Sequence, residues 1–173
     1  QSVTPPRDVL RVLAGQEVPG AGFTIRELRL PRAVLAVLAG MSFGLGGVVF
    51  QTMLRNPLAS PDIIGISSGA SAAAVIAIVV LGWSGAAVSL FAVAAGLAVA
   101  AAIYLLAWRD GLSGARLILV GIGISAMLES LVAYILLRAP SWTLQDALRW
   151  LTGSTNGATL DQAVPMACAL LVF

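Results

Sequence analysis

Four stretches of this chain each run for about the length of a bilayer crossing with almost no charge in them. A bilayer core of about 30 Å takes roughly 20 apolar residues at 1.5 Å each. The first window, Ala33 to Leu54, has no charge between Arg32 and Arg55. The second runs from about Ile63 to Trp83 and the third from about Ala86 to Trp108, with only a short turn around Ser84 and Gly85 between them. A turn that short makes the two an antiparallel hairpin. The fourth, Leu117 to Leu137, contains one carboxylate, Glu129, and a further apolar run occupies residues 160–173. These are unbroken blocks, not the stripes of amphipathic helices. Apolar residues make up 59% of the chain and charged residues 10%, against about 25% charged in an ordinary soluble domain. A water-soluble fold cannot hide that much apolar surface. The expected fold is all-α, a polytopic transmembrane helical bundle, with residues 1–32 ahead of the first span and residues 33–173 forming the membrane domain.

Composition also removes several functions. All the basic residues are arginines, there is no histidine, and the formal charge is +2, so no basic patch exists for nucleic acid. There is no G-x-x-x-x-G-K-[ST] loop and no His/Cys metal cluster, so the chain is not itself a nucleotide hydrolase or a metalloenzyme, and no catalytic or metal residue is assigned. The single cysteine, Cys168, lies in an apolar stretch and reads as a small buried residue. Residues 1–22 lack the basic region and apolar core of a signal peptide. The apolar run that begins at Ala163 reaches Phe173 before it could cross a bilayer, so the sequence reads as a piece of a longer polypeptide.

The connections carry the clearest local signals. Arg55-Asn56-Pro57 and Ser60-Pro61-Asp62 end one helix and delay the next, because proline removes a donor and restricts the residue before it. A Gly/Ser cluster follows, Gly65-Ile66-Ser67-Ser68-Gly69, and together these imply a broken helix start, tolerated at membrane depth only inside protein or beside water. Residues 109–114 form another polar turn. Between Ser141 and Gly153, Leu144, Leu148 and Leu151 share a face with Ala147, which predicts a short interfacial helix at about 144–152 with Trp142 and Trp150 at headgroup level. Residues 6–14 have a similar small amphipathic character.

Candidate functional residues fall into three groups. Small residues crowd the spans, Gly40, Gly44, Gly46 and Gly47 above Gln51 in the first, Gly65, Ser67, Ser68, Gly69 and Ser71 in the second, and Gly121 and Gly123 in the fourth. They let helix backbones approach closely, and they also leave room for a bulky solute. Glu129 lies midway along an apolar span, where a carboxylate costs several kcal/mol and so faces a partner or water. No basic residue of the spans clearly matches it, which leaves it as a candidate pore-facing or proton-handling group, or as a group that is neutralised or hydrogen-bonded to a helix outside this sequence or in a second subunit. Arg29 and Arg32, in Arg29-Leu30-Pro31-Arg32, either snorkel at the interface or offer a cationic docking spot to acidic residues.

The order of these motifs resembles the permeases of ABC importers for iron–siderophore complexes, haem and cobalamin, the FecCD-type family. The resemblance rests on Arg29-Leu30-Pro31-Arg32, the glycine-rich span ending in Gln51, Arg55 to Pro61, Ile64 to Ala70, Arg116 to Ile122 and Ala147 to Ser154. It covers nearly the whole chain, and the order and spacing are more specific than any one motif. Members of that family are ten-helix, type II importer subunits. They pair as homo- or heterodimers in the cytoplasmic (inner) membrane, bind two cytoplasmic ABC ATPases and receive cargo from an extracytoplasmic substrate-binding protein. The resemblance thus implies a multi-pass permease without a cofactor of its own, ATP being used by the partner subunits. This chain then supplies the second to fifth helices and the start of the sixth, with residues 1–32 external and the C-terminal half lying outside the sequence. Arg29 and Arg32 match the family's docking arginines. Gly40, Gly44, Gly47, Gln51, Asn56, Pro57, Gly65, Ser67, Ser68 and Gly69 match its translocation-path and packing positions, whereas Glu129 is not part of its pattern.

Orientation is where the two lines of reasoning part. Arg55, Arg109 and Arg116 fall on one side of the spans and Arg26, Arg29, Arg32, Arg138 and Arg149, with Arg7 and Arg11 further out, on the other, so the positive-inside rule places the N-terminal segment in the cytoplasm. The family orientation places it outside. A recognition task for the external arginines overrides the statistical bias, and the family orientation is the one adopted. From the residues alone, a proton-coupled secondary transporter is the alternative, since it too uses broken helices and a membrane carboxylate. A fragment without transport activity is a third.

Overall fold

The computed structural model describes residues 4–16, 18–108 and 113–172. Packing divides the chain into two compact units, Gln1–Leu45 with Thr155–Phe173, and Gly46–Ser154.

In the first unit, helix α1 spans Pro6–Leu13, opened by a proline whose fixed φ suits the first turn and closed before Gly15 at φ +90. Val12 is buried on Ala21 and Ile25, while Leu10 and Leu13 stay exposed. The next helical stretch begins at Thr24, well ahead of the charge-free window. It opens as a π turn, Thr24–Arg29, and continues as α2, Leu30–Leu54. Pro31 explains the wide turn, because the ring crowds the carbonyl four residues back and offers no N–H to it. Leu35 packs on Ala158 and Ala163, the latter the first residue of α7, Ala163–Val172. Cys168 is exposed, against the buried position expected for it. Ala163 is the face of α7 that packs, and five residues further on the helix has turned about 140° away from it.

In the second unit, α2 ends in a Schellman arrangement. The Asn56 N–H donates to the Gln51 carbonyl at 3.0 Å and the Arg55 N–H to that of Thr52 at 3.3 Å, with Arg55 itself at φ 49 where glycine is usual. A 3₁₀ turn, Pro61–Ile64, precedes Gly65 at φ +76, and only then does helix α3 start, Ile66–Val75, running on as a π turn to Val80. The stretch expected to span from about 63 to 83 is therefore ten α-helical and five π residues, about 22 Å at 1.5 Å per residue. That is short of a bilayer core of about 30 Å. The left-handed Gly65 breaks the helix at its start, and Gly82 and Gly85, at φ +67 and +64, end it.

Helices α4, Ala86–Ala107, and α5, Gly114–Arg138, are both long and apolar enough to cross a membrane, as is the stretch Thr24–Leu54. Helices α3 and α4 do form the antiparallel pair expected from their short connection. Trp83 meets Phe91 edge to face at 5.5 Å near the turn, and Ile66 and Ala70 lie against Gly96 at the far end. Two clusters hold the unit. One gathers Ala74, Val75, Ala77, Ile78, Val88 and Ala92 around Ala147 of α6, Ser141–Thr152. The other joins Ile103, Ala107 and Leu117 to Phe50 and Leu54. On α6 the packed face is Ala147, Trp150 and Leu151, so Leu148 is exposed and Trp150 turns toward the core, leaving Trp142 as the exposed aromatic. Large apolar side chains such as Phe43, Leu97, Leu119, Met127 and Leu137 point outward. That inversion of the water-soluble pattern is what a lipid environment permits.

Candidate functional site

The break between α2 and α3 is built from local chemistry. Asn56 Oδ1 accepts the Leu58 N–H at 3.0 Å, an Asx turn that Pro57 pre-sets, and the Ser60 hydroxyl accepts the Asp62 N–H. Asp62 in turn accepts the Ser67 hydroxyl at 2.6 Å, tying the 3₁₀ turn to the first turn of α3. Asn56 and Pro57 thus shape the connection, and Ser67 holds its far end.

Gly65 and Gly69 are close-approach positions. A Cβ on Gly65 would lie 2.6 Å from Ser125 Oγ and 3.4 Å from the Gly121 carbonyl oxygen, both on α5. A Cβ on Gly69 would lie 2.7 Å from Val99 Cγ2 on α4. Gly40, Gly44 and Gly47 behave differently, because a Cβ at any of them meets nothing within 4 Å among the described residues. With Gln51 they share one face of α2 by the spacing of the helix, exposed at Gly40, Gly44 and Gln51 and half-buried at Gly47.

Glu129 has a partner inside this chain. The Ser68 hydroxyl, on a residue only 9% exposed, donates to Glu129 Oε1 at 3.2 Å, a contact the sequence reading did not foresee. Asp62, Ser67, Ser68, Ser71 and Glu129 line one cleft of about 440 Å³ whose far wall is apolar, Leu136 and Leu151 among it. The sequence reading counted Ser71 and Gly121 among the small residues that crowd the spans but did not single out Ser125. Ser125 carried a signal, since Gly121, Ser125 and Glu129 recur at four-residue spacing and so share a face of α5.

Arg29 and Arg32 stand at the start of the α2 helical stretch. Arg32 Nη2 donates to Asn156 Oδ1 at 2.9 Å, which holds that exposed guanidinium against the turn before α7. Arg26, not singled out from the sequence, donates to the Val12 carbonyl at 3.0 Å and lines a hollow of about 500 Å³ together with Glu27 and Asp161. Arg109, named above for its charge, lies outside the described residues. Among the described residues no group of three His, Cys, Asp or Glu side chains could hold a metal ion.

The model of the FecCD transport family matches residues 1–173, the full sequence. The chain belongs to the FecCD transport family. This FecCD chain is 47% identical over 156 residues to the achromobactin transport system permease protein CbrC of Dickeya dadantii (strain 3937), covering 89% of this chain and 45% of that protein. It is 37% identical to the ferric enterobactin transport system permease protein FepG of Escherichia coli (strain K12), over 95% of this chain and 50% of the relative. It is 34% identical to the iron(3+)-hydroxamate import system permease protein FhuG of Bacillus subtilis (strain 168), over 97% and 53%. The chain thus spans about half the length of the curated relatives it matches. A solved structure described as a metal-chelate type ABC transporter in an inward-facing conformation superimposes with a TM-score of 0.78 at 25% identity, over 96% of this chain and 57% of that one. The FecCD chain is therefore a helical, multi-pass membrane protein of a family of transport subunits.

Proposed function

We propose that this chain is part of the membrane-spanning permease subunit of a binding-protein-dependent ABC importer that moves an iron–siderophore complex across the cytoplasmic membrane. The observation that carries the reading is the family match over residues 1–173 together with 47% identity to a permease of achromobactin transport. Relatives named for ferric enterobactin, iron(3+)-hydroxamate and Fe(3+)-citrate favour a ferric chelate over haem or cobalamin as cargo. The chain performs no covalent chemistry in this reading. ATP binding and hydrolysis on two separate ATPase subunits rock the helices, and cargo delivered by an extracytoplasmic binding protein passes between this chain and a second permease. The FepG and FepD pair, both of ferric enterobactin transport, supports such pairing of permeases.

Within that scheme Arg29 and Arg32 meet acidic residues of the binding protein, and the hold of Asn156 on Arg32 presents its charge in a fixed place. The polar cleft of α3 and α5, and the small residues of α2, line or pack the path. Deletion of the gene followed by growth under iron limitation, with uptake of labelled ferric siderophores, tests the function; unimpaired growth together with unimpaired uptake refutes it. A reporter active only outside the membrane, fused after Arg32, tests the orientation. Activity there is expected, and silence there with activity after Arg109 overturns it.

A further inference from the structure

We propose that Ser68 and Glu129 form a polar clasp that positions α3 against α5, and that the rate of transport depends on this clasp while cargo affinity does not; the proposal rests on the permease reading above. Helix α3 with its π turn is about 22 Å long, so matching to a bilayer core of about 30 Å cannot set its depth, and contacts with its neighbours must. Its seam with α4 is built from close apolar contacts, Gly69 on Val99 and Gly96 on Ile66 and Ala70. The seam with α5 is different. Gly65 lies against Gly121 and Ser125, and one turn further along both helices Ser68 reaches Glu129.

Several other hydroxyls among the described residues bond within their own helix. Ser42, Thr52, Ser125 and Ser130 each donate to the carbonyl four residues back on their own helix. Ser68, nearly buried, instead crosses to α5. Its neighbour Ser67 bonds Asp62 at 2.6 Å. Successive residues of a helix point about 100° apart, so these two bonds, one to the preceding turn and one to the next helix, together fix the rotation of α3 about its axis. The same side chains line the cleft of about 440 Å³, so a slip or rotation of α3 reshapes it. Glu129 is on this account a positioning residue that acts through Ser68.

The test uses the complete transporter with its partner subunits in proteoliposomes, measuring ATP-driven uptake of a ferric siderophore. Ser68→Ala and Glu129→Leu are each expected to lower the maximal rate about threefold, the typical worth of an interhelical hydrogen bond in a membrane, with KM unchanged. The double variant is expected to be no slower than either single one. Glu129→Gln keeps an acceptor oxygen and Ser68→Thr keeps the hydroxyl, so both are expected to run near the wild-type rate. These two decide the matter if a truncated variant fails to assemble. A Glu129→Gln variant as slow as Glu129→Leu, a raised KM, or a double variant slowed about ninefold each overturns the clasp. If the wild-type transporter moves no ferric chelate, the permease reading fails and the clasp's role in transport falls with it; wild-type uptake with any of the three preceding results rejects the clasp alone.

Discussion

Gly69→Ala is the substitution whose cost can be worked most directly from the geometry. The added Cβ falls 2.7 Å from Val99 Cγ2 and 2.9 Å from Val99 Cβ, where ordinary contact begins at 3.4 Å. Rotating Val99 can move Cγ2 aside, but its Cβ is fixed by the α4 backbone, so a shortfall of about 0.5 Å can be relieved only by parting the two helices. Helix α3 has little room to retreat, because Ala74 and Val75 are fully buried and Gly65 already touches α5. Overpacking of this kind costs about 1–3 kcal/mol, and the tight surroundings place this site in the upper part of that range. Replacing glycine by alanine inside a helix returns up to about 1 kcal/mol, which leaves a net loss of about 1–2 kcal/mol. For a chain of this size that lowers the melting midpoint by about 2–8 °C, measurable by tryptophan fluorescence of the detergent-solubilised protein. Val99→Ala in the same background keeps the offending Cβ and should restore only part of the loss, whereas Val99→Gly should relieve the clash itself. Gly123→Ala, where a Cβ meets nothing within 4 Å, serves as the control and should not lower the midpoint. A Gly69→Ala protein as stable as wild type, or full rescue by Val99→Ala, would refute the reasoning.

Gly65→Ala should be worse than Gly69→Ala, by about 1 kcal/mol, because it adds the strain of φ +76 to a Cβ 2.6 Å from Ser125 Oγ; Ser125→Gly should recover the contact but not the strain, as read from the same melts. Arg55→Gly is expected to raise the midpoint slightly, since the residue sits at φ 49 in a position that favours glycine by about 1 kcal/mol, and a lowered midpoint would count against the Schellman reading. Arg32→Glu should weaken capture of the cargo-loaded binding protein at least tenfold in a pull-down or by surface-binding measurement, as expected for reversing a charge that meets an acidic partner. Asn156→Ala, which removes this hold on the guanidinium but leaves its charge, should change capture no more than about threefold. Equal capture by wild type and Arg32→Glu would remove Arg32 from the docking surface.

Much of the architecture could be read from residues alone because the governing interactions are local. Charge-free runs of about 20 residues state where the chain can enter a bilayer, and Asn56-Pro57, Ser60-Pro61 and Gly65 state where the helix must break, through lost donors and a left-handed turn. What the sequence could not supply is which faces meet. In a soluble helix the buried side is marked by its apolarity, but α4 is apolar all round and lipid is as apolar as a protein interior, so nothing in its pattern singles out Val99 as the surface that receives Gly69. Nor could spacing pair Glu129 with a serine 61 residues away, since that contact depends on the depth and rotation of a helix too short to span. Likewise the rotation of α6 decided that Trp150 packs inward while Leu148 does not, and that of α7 that Cys168 is exposed. Residue chemistry determined the spans and the break between them; only the tertiary structure, through close approach at glycines and hydrogen bonds such as that of Ser68 to Glu129, decided which faces meet.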